Sequence, residues 1–247
     1  ALASDDPRVL EGFLNQGRLD LIESEILFVD PARGGKQLRL VETRLRLENT
    51  GERHWLDLSA RPVPPDPLVL ATDEETESAA GEADAGRGGQ SLHLALRLNG
   101  PASDPRSWSG RGYLRLDVAN LGLLLPAAVL EHGWLDTERA GVESWLELQV
   151  GRLEQALIQA DLRGVRLASD KTPEQTQVLD DDARERPPAW HLSGTARMRA
   201  LESGWHARIA RLDAGVDGTA LSGLDLDLNL SPDGRLLDLG GRLAQLE

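Results

Sequence analysis

The sequence predicts an all-β fold: one long antiparallel twisted sheet of repeated hairpins, with one or two short helices. Three observations predict it. Runs that alternate apolar and polar residues recur along the 247-residue chain, the period of a strand with one apolar face. Helix-period patterns are scarce. Clusters of Gly, Pro, Asn and Asp separate the alternating runs, with no strand–helix–strand rhythm between them.

Pro7 to Gln16 has the spacing of one or two helical turns, with Val9, Leu10, Phe13 and Leu14 on one face and Gly17 as the stop. Arg18 to Asp30 reads as a strand whose phase slips near Glu23-Ser24, the mark of a bulge. Pro31 to Gly35 turns. Leu38 to Leu47 returns, with Leu38 and Leu40 in one phase and Val41, Thr43, Leu45 and Leu47 in the other, a second slip. After Asn49-Thr50-Gly51-Glu52, Leu56, Leu58 and Ala60 alternate. Pro62, Pro64, Pro65 and Pro67 then break regular pairing, and Leu68-Val69-Leu70 is a short strand.

Residues 73–89 are acidic and rich in Gly and Ala, and are expected to form a flexible loop. Leu92, Leu94, Leu96 and Leu98 make a clean alternation. The centre of the pattern runs from Trp108 to Leu167. Leu114, Leu116 and Val118 alternate there, as do Leu146, Leu148 and Val150. After a turn at Gly151-Arg152-Leu153, Ala156, Ile158, Ala160 and Leu162 continue the set. Between the first two runs, Leu123 to Leu130 is too dense for an alternating strand and too short for a membrane span. It reads as a short helix plugging an end or rim of the sheet. Residues 170–188 form a second expected flexible loop. Trp190, Leu192, Gly194, Ala196 and Met198 share a phase. Trp205, Ala207 and Ile209 follow, then Leu224, Leu226, Leu228 and Leu230, and Leu236 to Leu246 begins another strand.

Composition bounds the function. The net charge of −14 argues against a nucleic-acid surface, which needs a basic stripe. It also argues against broad docking on anionic headgroups. The chain has no cysteine, so thiolate metal sites, cysteine nucleophiles and disulfides are excluded. His54, His93, His132, His191 and His206 are scattered without zinc spacing and read as solvated strand or turn histidines. Asp180-Asp181-Asp182 has no cation-loop register and reads as a solvated run. Ser109 and Ser193 lack a nucleophile-elbow context. Trp108, Trp134, Trp145, Trp190 and Trp205 suit either the rim of a groove or the ends of a sheet.

A sheet with one apolar face must cover it. Aromatic filler is sparse here, so two solutions stand. The sheet folds on itself as a sandwich or barrel, or it curls into a trough that something else fills. Strands near ten residues long and their phase slips favour curling.

The residues also resemble a known family. The opening from Leu10 to Asp30, with Phe13-Leu14, Gln16-Gly17 and Phe28-Val29-Asp30, is similar to a periplasmic segment of YhdP-type proteins, in the AsmA-like group of Gram-negative bacteria. Asn49, Gly51, His54, Leu56, Leu58, Ala60 and Pro62 follow. Trp108, Gly110 and Tyr113-Leu114 come next, then Gly141 and Trp145-Leu146-Glu147-Leu148. Phe28 stands where the family pattern leads one to expect tryptophan. The order and spacing of these blocks carry the resemblance, closest over residues 10–167.

The resemblance implies a sheet curled into a hydrophobic groove that spans the periplasm. It implies non-enzymatic transport of phospholipid between inner and outer membranes, with no cofactor. The expected partners are phospholipids, the membrane through parts of a longer parent protein, and envelope proteins. On this reading the chain is one continuous segment, 1–247, of an inner-membrane-anchored periplasmic protein. Residues 1–168 are the better-matching unit and 189–247 the strands that follow it. The candidate groove lining is Leu38, Leu40, Leu56, Leu58, Leu92, Leu94, Leu96, Leu98, Leu114, Leu116, Val118, Leu146, Leu148, Val150, Ile158, Leu162, Leu224, Leu226 and Leu228. The alternatives are a structural or assembly β-protein of the envelope with a self-packed sheet and, third, an enzyme acting on envelope glycans through carboxylates.

Overall fold

The computed structural model describes residues 17–30, 36–63, 90–121, 134–168, 189–216, 219–232, 236–243 and 245–246. The helix expected at 7–16, the insert at 123–130, the strand at 68–70, the loops at 73–89 and 170–188, His132 and Asp180 to Asp182 lie outside the described residues.

Period-2 sequence makes strands throughout. These are β1 (Arg18–Asp30), β2 (Lys36–Thr50), β3 (Arg53–Val63), β4 (Ser91–Asn99), β5 (Ser109–Val118), β6 (Trp134–Asp136) and β7 (Arg139–Gln149). Next come β8 (Arg152–Ala168), β9 (Trp190–Leu201), β10 (Gly204–Val216), β11 (Thr219–Leu230), β12 (Leu236–Arg242) and β13 (Gln245–Leu246). The helical content among the described residues is the 3-10 turn Pro105–Ser107 and the single 3-10 residue Leu121.

Eleven strands pair antiparallel in the order β1-β2-β3-β4-β5-β7-β8-β9-β10-β11-β12, with β6 added to β8 and β13 to β11. The sheet is open, since β1 and β12 stand at opposite edges. Strands follow one another in space almost as in sequence, across short turns and long connections alike. β5 and β7 flank the 123–130 insert and still pair directly. β8 pairs β9 across the 169–188 connection, so residues on both sides of that stretch share one sheet.

The phase slips read in the sequence are register shifts. β1 shifts between Leu21 and Ser24, with Glu23 at φ 53°. β2 shifts between Val41 and Arg44, with Glu42 at φ 53°. The sequence reading did not single out three more, at Gly164 in β8, Arg211 in β10 and Gly223 in β11, all with positive φ. An extra residue leaves an N–H without its ladder partner. Two of these are supplied by aspartates: Arg211 N donates to Asp225 Oδ1 at 3.1 Å, and Gly223 N to Asp213 Oδ1 at 2.9 Å.

The best-buried apolar cluster is Leu116, Val118, Leu121 and Ala140, flanked by Leu92, Leu114, Val142 and Leu162. It lies where the chain leaves β5 for the insert and returns along β7. Thr137 ties this corner, accepting from Leu121 N and donating to Ala119 O, both at 2.9 Å.

Candidate functional site

Residues directly opposed on neighbouring strands share a face of the sheet, so the registers assign every strand residue to a side. One row crosses all eleven strands: Leu19, Leu47, Leu56, Leu96, Gly112, Leu146, Ala156, Met198, Ala207, Leu228 and Leu239. The next row runs Leu21, Leu45, Leu58, Leu94, Leu114, Ser144, Ile158, Ala196, Ile209, Leu226 and Gly241. A third includes Ala60, Leu92, Leu116, Val142, Ala160 and Gly194. A fourth links Val118, Ala140, Leu162, Leu192, Ala214 and Leu221. No charged side chain stands in these rows.

The sheet thus has a continuous apolar face. Ten strand spacings at ~4.8 Å make it about 48 Å across. Leu56, Leu58, Leu94, Leu96, Leu114, Leu146, Leu226 and Leu228 are half-buried. The polar residues that intrude are small. Thr43 is buried and donates to Leu40 O at 3.2 Å, and Ser144 is buried between Leu114 and Ile158.

Of the candidate lining, Leu56, Leu58, Leu92, Leu94, Leu96, Leu98, Leu114, Leu116, Val118, Leu146, Leu148, Ile158, Leu162, Leu224, Leu226 and Leu228 fall on this face by register. Leu38 and Leu40 join it beyond the β2 bulge, opposite Phe28 and Ile26. Val150 does not belong to the set. It lies in the two-residue turn between β7 and β8, at φ 51° and 62% exposed. The turn is Val150-Gly151, one residue earlier than the sequence reading placed it, and both residues have positive φ, as a type I′ hairpin requires.

The opposite face is charged. Arg39 pairs Glu25 at 2.6 Å, Arg61 pairs Glu42 at 2.7 Å and Arg139 pairs Asp117 at 3.0 Å. These pairs are exposed and each contributes little stability. His93 faces Asp57 at 3.3 Å, His191 faces Asp161 at 3.0 Å and His206 faces Asp227 at 3.4 Å. Partial burial raises the Asp161 pKa, and hydrogen bonds from His191 and Arg163 more than offset this, leaving the carboxyl below the usual aspartate value. The Tyr113 hydroxyl donates to Glu143, which together with desolvation raises the phenol's pKa. A shallow cleft of about 570 Å³ opens on this side beside Arg115, Asp117, Glu143, Gln159 and Asp161.

His54 departs from the expectation of a solvated histidine. It is 4% exposed and shares the leucine face, opposite Leu98. Its Nδ1 is 2.7 Å from Asn49 Oδ1 and its Nε2 2.9 Å from Gly100 O. Its ring stacks on Trp108 at 4.3 Å, and Trp108 Nε1 donates to Pro101 O at 2.7 Å. Gly100 is required here, because a Cβ would lie 2.3 Å from Trp108 Cδ1. This clasp joins the β2–β3 and β4–β5 connections at the short-hairpin end of the sheet.

The tryptophans divide. Trp108 and Trp205 stand at that hairpin end. Trp190 is opposite Val165 and Val216 on the leucine face. Trp145 belongs neither to a sheet end nor to the leucine face. It points to the polar side, where it is 40% exposed and packs at 5.7 Å on Tyr113. The alternation explains this, because Ser144 and Leu146, its neighbours in β7, take the leucine face.

Among the described residues, no group of three or more His, Asp and Glu is placed to hold a metal ion. No helix among them is long and apolar enough to cross a membrane. Comparison with family models, with curated proteins and with solved structures gave no match.

Proposed function

We propose that this chain is a non-enzymatic, lipid-conducting β-segment of a Gram-negative periplasmic protein. On this reading the leucine face lines a groove that shields the acyl chains of phospholipid moving between inner and outer membranes. The observation that supports it is the two uncharged rows that run from strand to strand across all eleven strands of the sheet, while the residues between them on the other side are free to be polar. An acyl chain of ~16 carbons exposes methylenes to water at ~0.8 kcal/mol each, on the order of 12 kcal/mol per chain. A continuous apolar wall lowers that barrier. Leucine, alanine and glycine along the rows offer few fixed polar groups, so binding is weak and even and the lipid is not trapped.

A second reading, an envelope structural or assembly protein with a self-packed sheet and no cargo, draws on the buried Leu116, Val118, Leu121 and Ala140 cluster. Lipid extraction separates the two. The chain is purified from a Gram-negative host, extracted with organic solvent and assayed for phospholipid by mass spectrometry. The lipid reading expects stoichiometric phospholipid. It expects that lipid to fall in Leu96→Asp and Leu148→Asp variants whose strand signal in circular dichroism is retained. A folded monomer without lipid, or substitutions that unfold the chain because they bury an unpaired charge, would favour the self-packed reading.

A further inference from the structure

The polar face carries an arrangement that neither the leucine face nor the ion-pair ladder accounts for. Arg97 on β4 is directly opposite Arg111 on β5, and Arg197 on β9 is directly opposite Arg208 on β10. Like charges opposed across strands destabilise a sheet, and the chain as a whole carries −14. Arg199 lies two residues from Arg197 on the same side. Arg197, Arg199 and Arg208 form no ion pair with any described residue. Among the described residues Arg111 pairs with Glu147 alone, at 3.8 Å, and its side chain is 84% exposed. Arg97 lies over the Trp55 ring at 4.7 Å, and Trp55 is 45% exposed.

Trp145 and Leu157, directly opposed on β7 and β8, lie in the row of Arg197 and Arg208, while the row of Arg97 and Arg111 carries Glu147 and Gln155 on the same two strands and reaches Arg199 on β9. A cleft of about 260 Å³ there is lined by Arg111, Trp145, Glu147, Gln155, Leu157 and Arg197. The layout across the strands is therefore arginine at both ends with Trp145 and Leu157 in the middle, beside one carboxylate at Glu147, and with Asp227 opposite Arg208 at the β10 edge. From β4 to β10 there are five strand spacings, or ~24 Å. An extended peptide of about seven residues at ~3.4 Å per residue covers that span.

We infer that this patch docks a short extended segment of a partner protein, acidic at both ends and apolar in the middle. Exposed Trp and Arg are the residue types that dominate protein–protein binding energy. The whole-molecule charge favours a peptide over a membrane. A leaflet of anionic lipid extends past the patch and meets the repulsion of the remaining surface. A short segment senses charge only within a Debye length of about 8 Å. The inference is independent of whether the opposite face carries lipid.

A fluorescein-labelled octapeptide with two aspartates at each end and leucine and phenylalanine in its centre tests it by fluorescence polarisation. The expected result is saturable binding that weakens as salt rises. Affinity falls at least tenfold in Arg197→Ala/Arg208→Ala and in Trp145→Ala, and stays within twofold in Arg44→Ala, a surface arginine outside the patch. The double variant keeps its strand signal and melts no lower than the parent, because it removes a like-charge pair. The inference is overturned by absent binding, by equal binding to the double variant, or by equal binding of an octapeptide with the same residues shuffled so that the acids lie in the centre. It is also overturned if the arginine-dependent ligand is a phosphatidylglycerol vesicle and the octapeptide does not bind.

Discussion

Tyr113 is the chain's one tyrosine, so its chemistry is open to direct measurement. Its hydroxyl donates to Glu143, and the resulting phenolate would face that carboxylate. The hydrogen bond is the main reason its pKa is raised; Arg115 works in the other direction. An unperturbed tyrosine titrates near ~10. With the folded value above the unfolded one, the interaction stabilises the fold fully below about pH 10. The contribution is lost as pH rises through the folded value. Absorbance at 295 nm should therefore show a midpoint above the model-compound value, and Glu143→Gln should lower it. A midpoint unchanged by that substitution would remove Glu143 as the cause. At the same scale the His54–Trp108 stack shows what sequence spacing hides. The two residues are 54 positions apart along the chain. Their contact depends on how the β4–β5 connection folds back, and a hydrogen-bonded, stacked histidine loses the solvated character its strand position suggests.

At the scale of the element, the β7–β8 hairpin is tight and strained at one point. Val150 is β-branched and sits at φ 51°, a left-handed conformation that costs an ordinary residue roughly 1–2 kcal/mol. Asn tolerates that region and leads type I′ turns before Gly. Val150→Asn is expected to stabilise the chain by about 1 kcal/mol, raising Tm by about 2–4 °C for a chain of this size. A lowered Tm in a thermal melt would show that Val150 contributes packing that the turn geometry does not reveal. The same turn marks a limit of what was legible. Alternation identified both strands and which of their residues share the leucine face, because a period of two carries both facts at once. It carried no information about where the strand stops, so Val150 kept the phase of Leu146 and Leu148 in the sequence reading. Bulges were legible at Glu23 and Glu42, where apolar residues lie on both sides of the slip. Arg211 and Gly223 were harder to read, because the flanking sequence mixes Gly, Ala, Ser and Asp and its phase is weak. The arginine pairs on the polar face were invisible for a different reason: which charges oppose each other is set by register between strands, and one bulge changes it.

At the scale of the whole molecule, the open sheet and its row pattern make a demand that no single pocket makes. A local binding site concentrates affinity at a few residues. A conduit spreads it, because a deep well anywhere along the path would hold the cargo and slow its passage. The rows fit the second design in their chemistry. Leucine dominates β2 to β5, while alanine and glycine are interspersed from β5 to β11, and no fixed charge interrupts them. A phospholipid with a photoreactive group near the end of one acyl chain tests this directly. Loaded onto the purified chain and activated by light, it should mark peptides from β2 through β11 in comparable yield, at leucine-face residues such as Leu58, Leu114 and Leu226. Arg46, Asp57 and Arg208, on the other side of the same strands, should stay unmarked. Labelling confined to one hairpin would reduce the proposed path to a local site. Labelling of the charged side would mean that the alternation organises the sheet without organising the cargo.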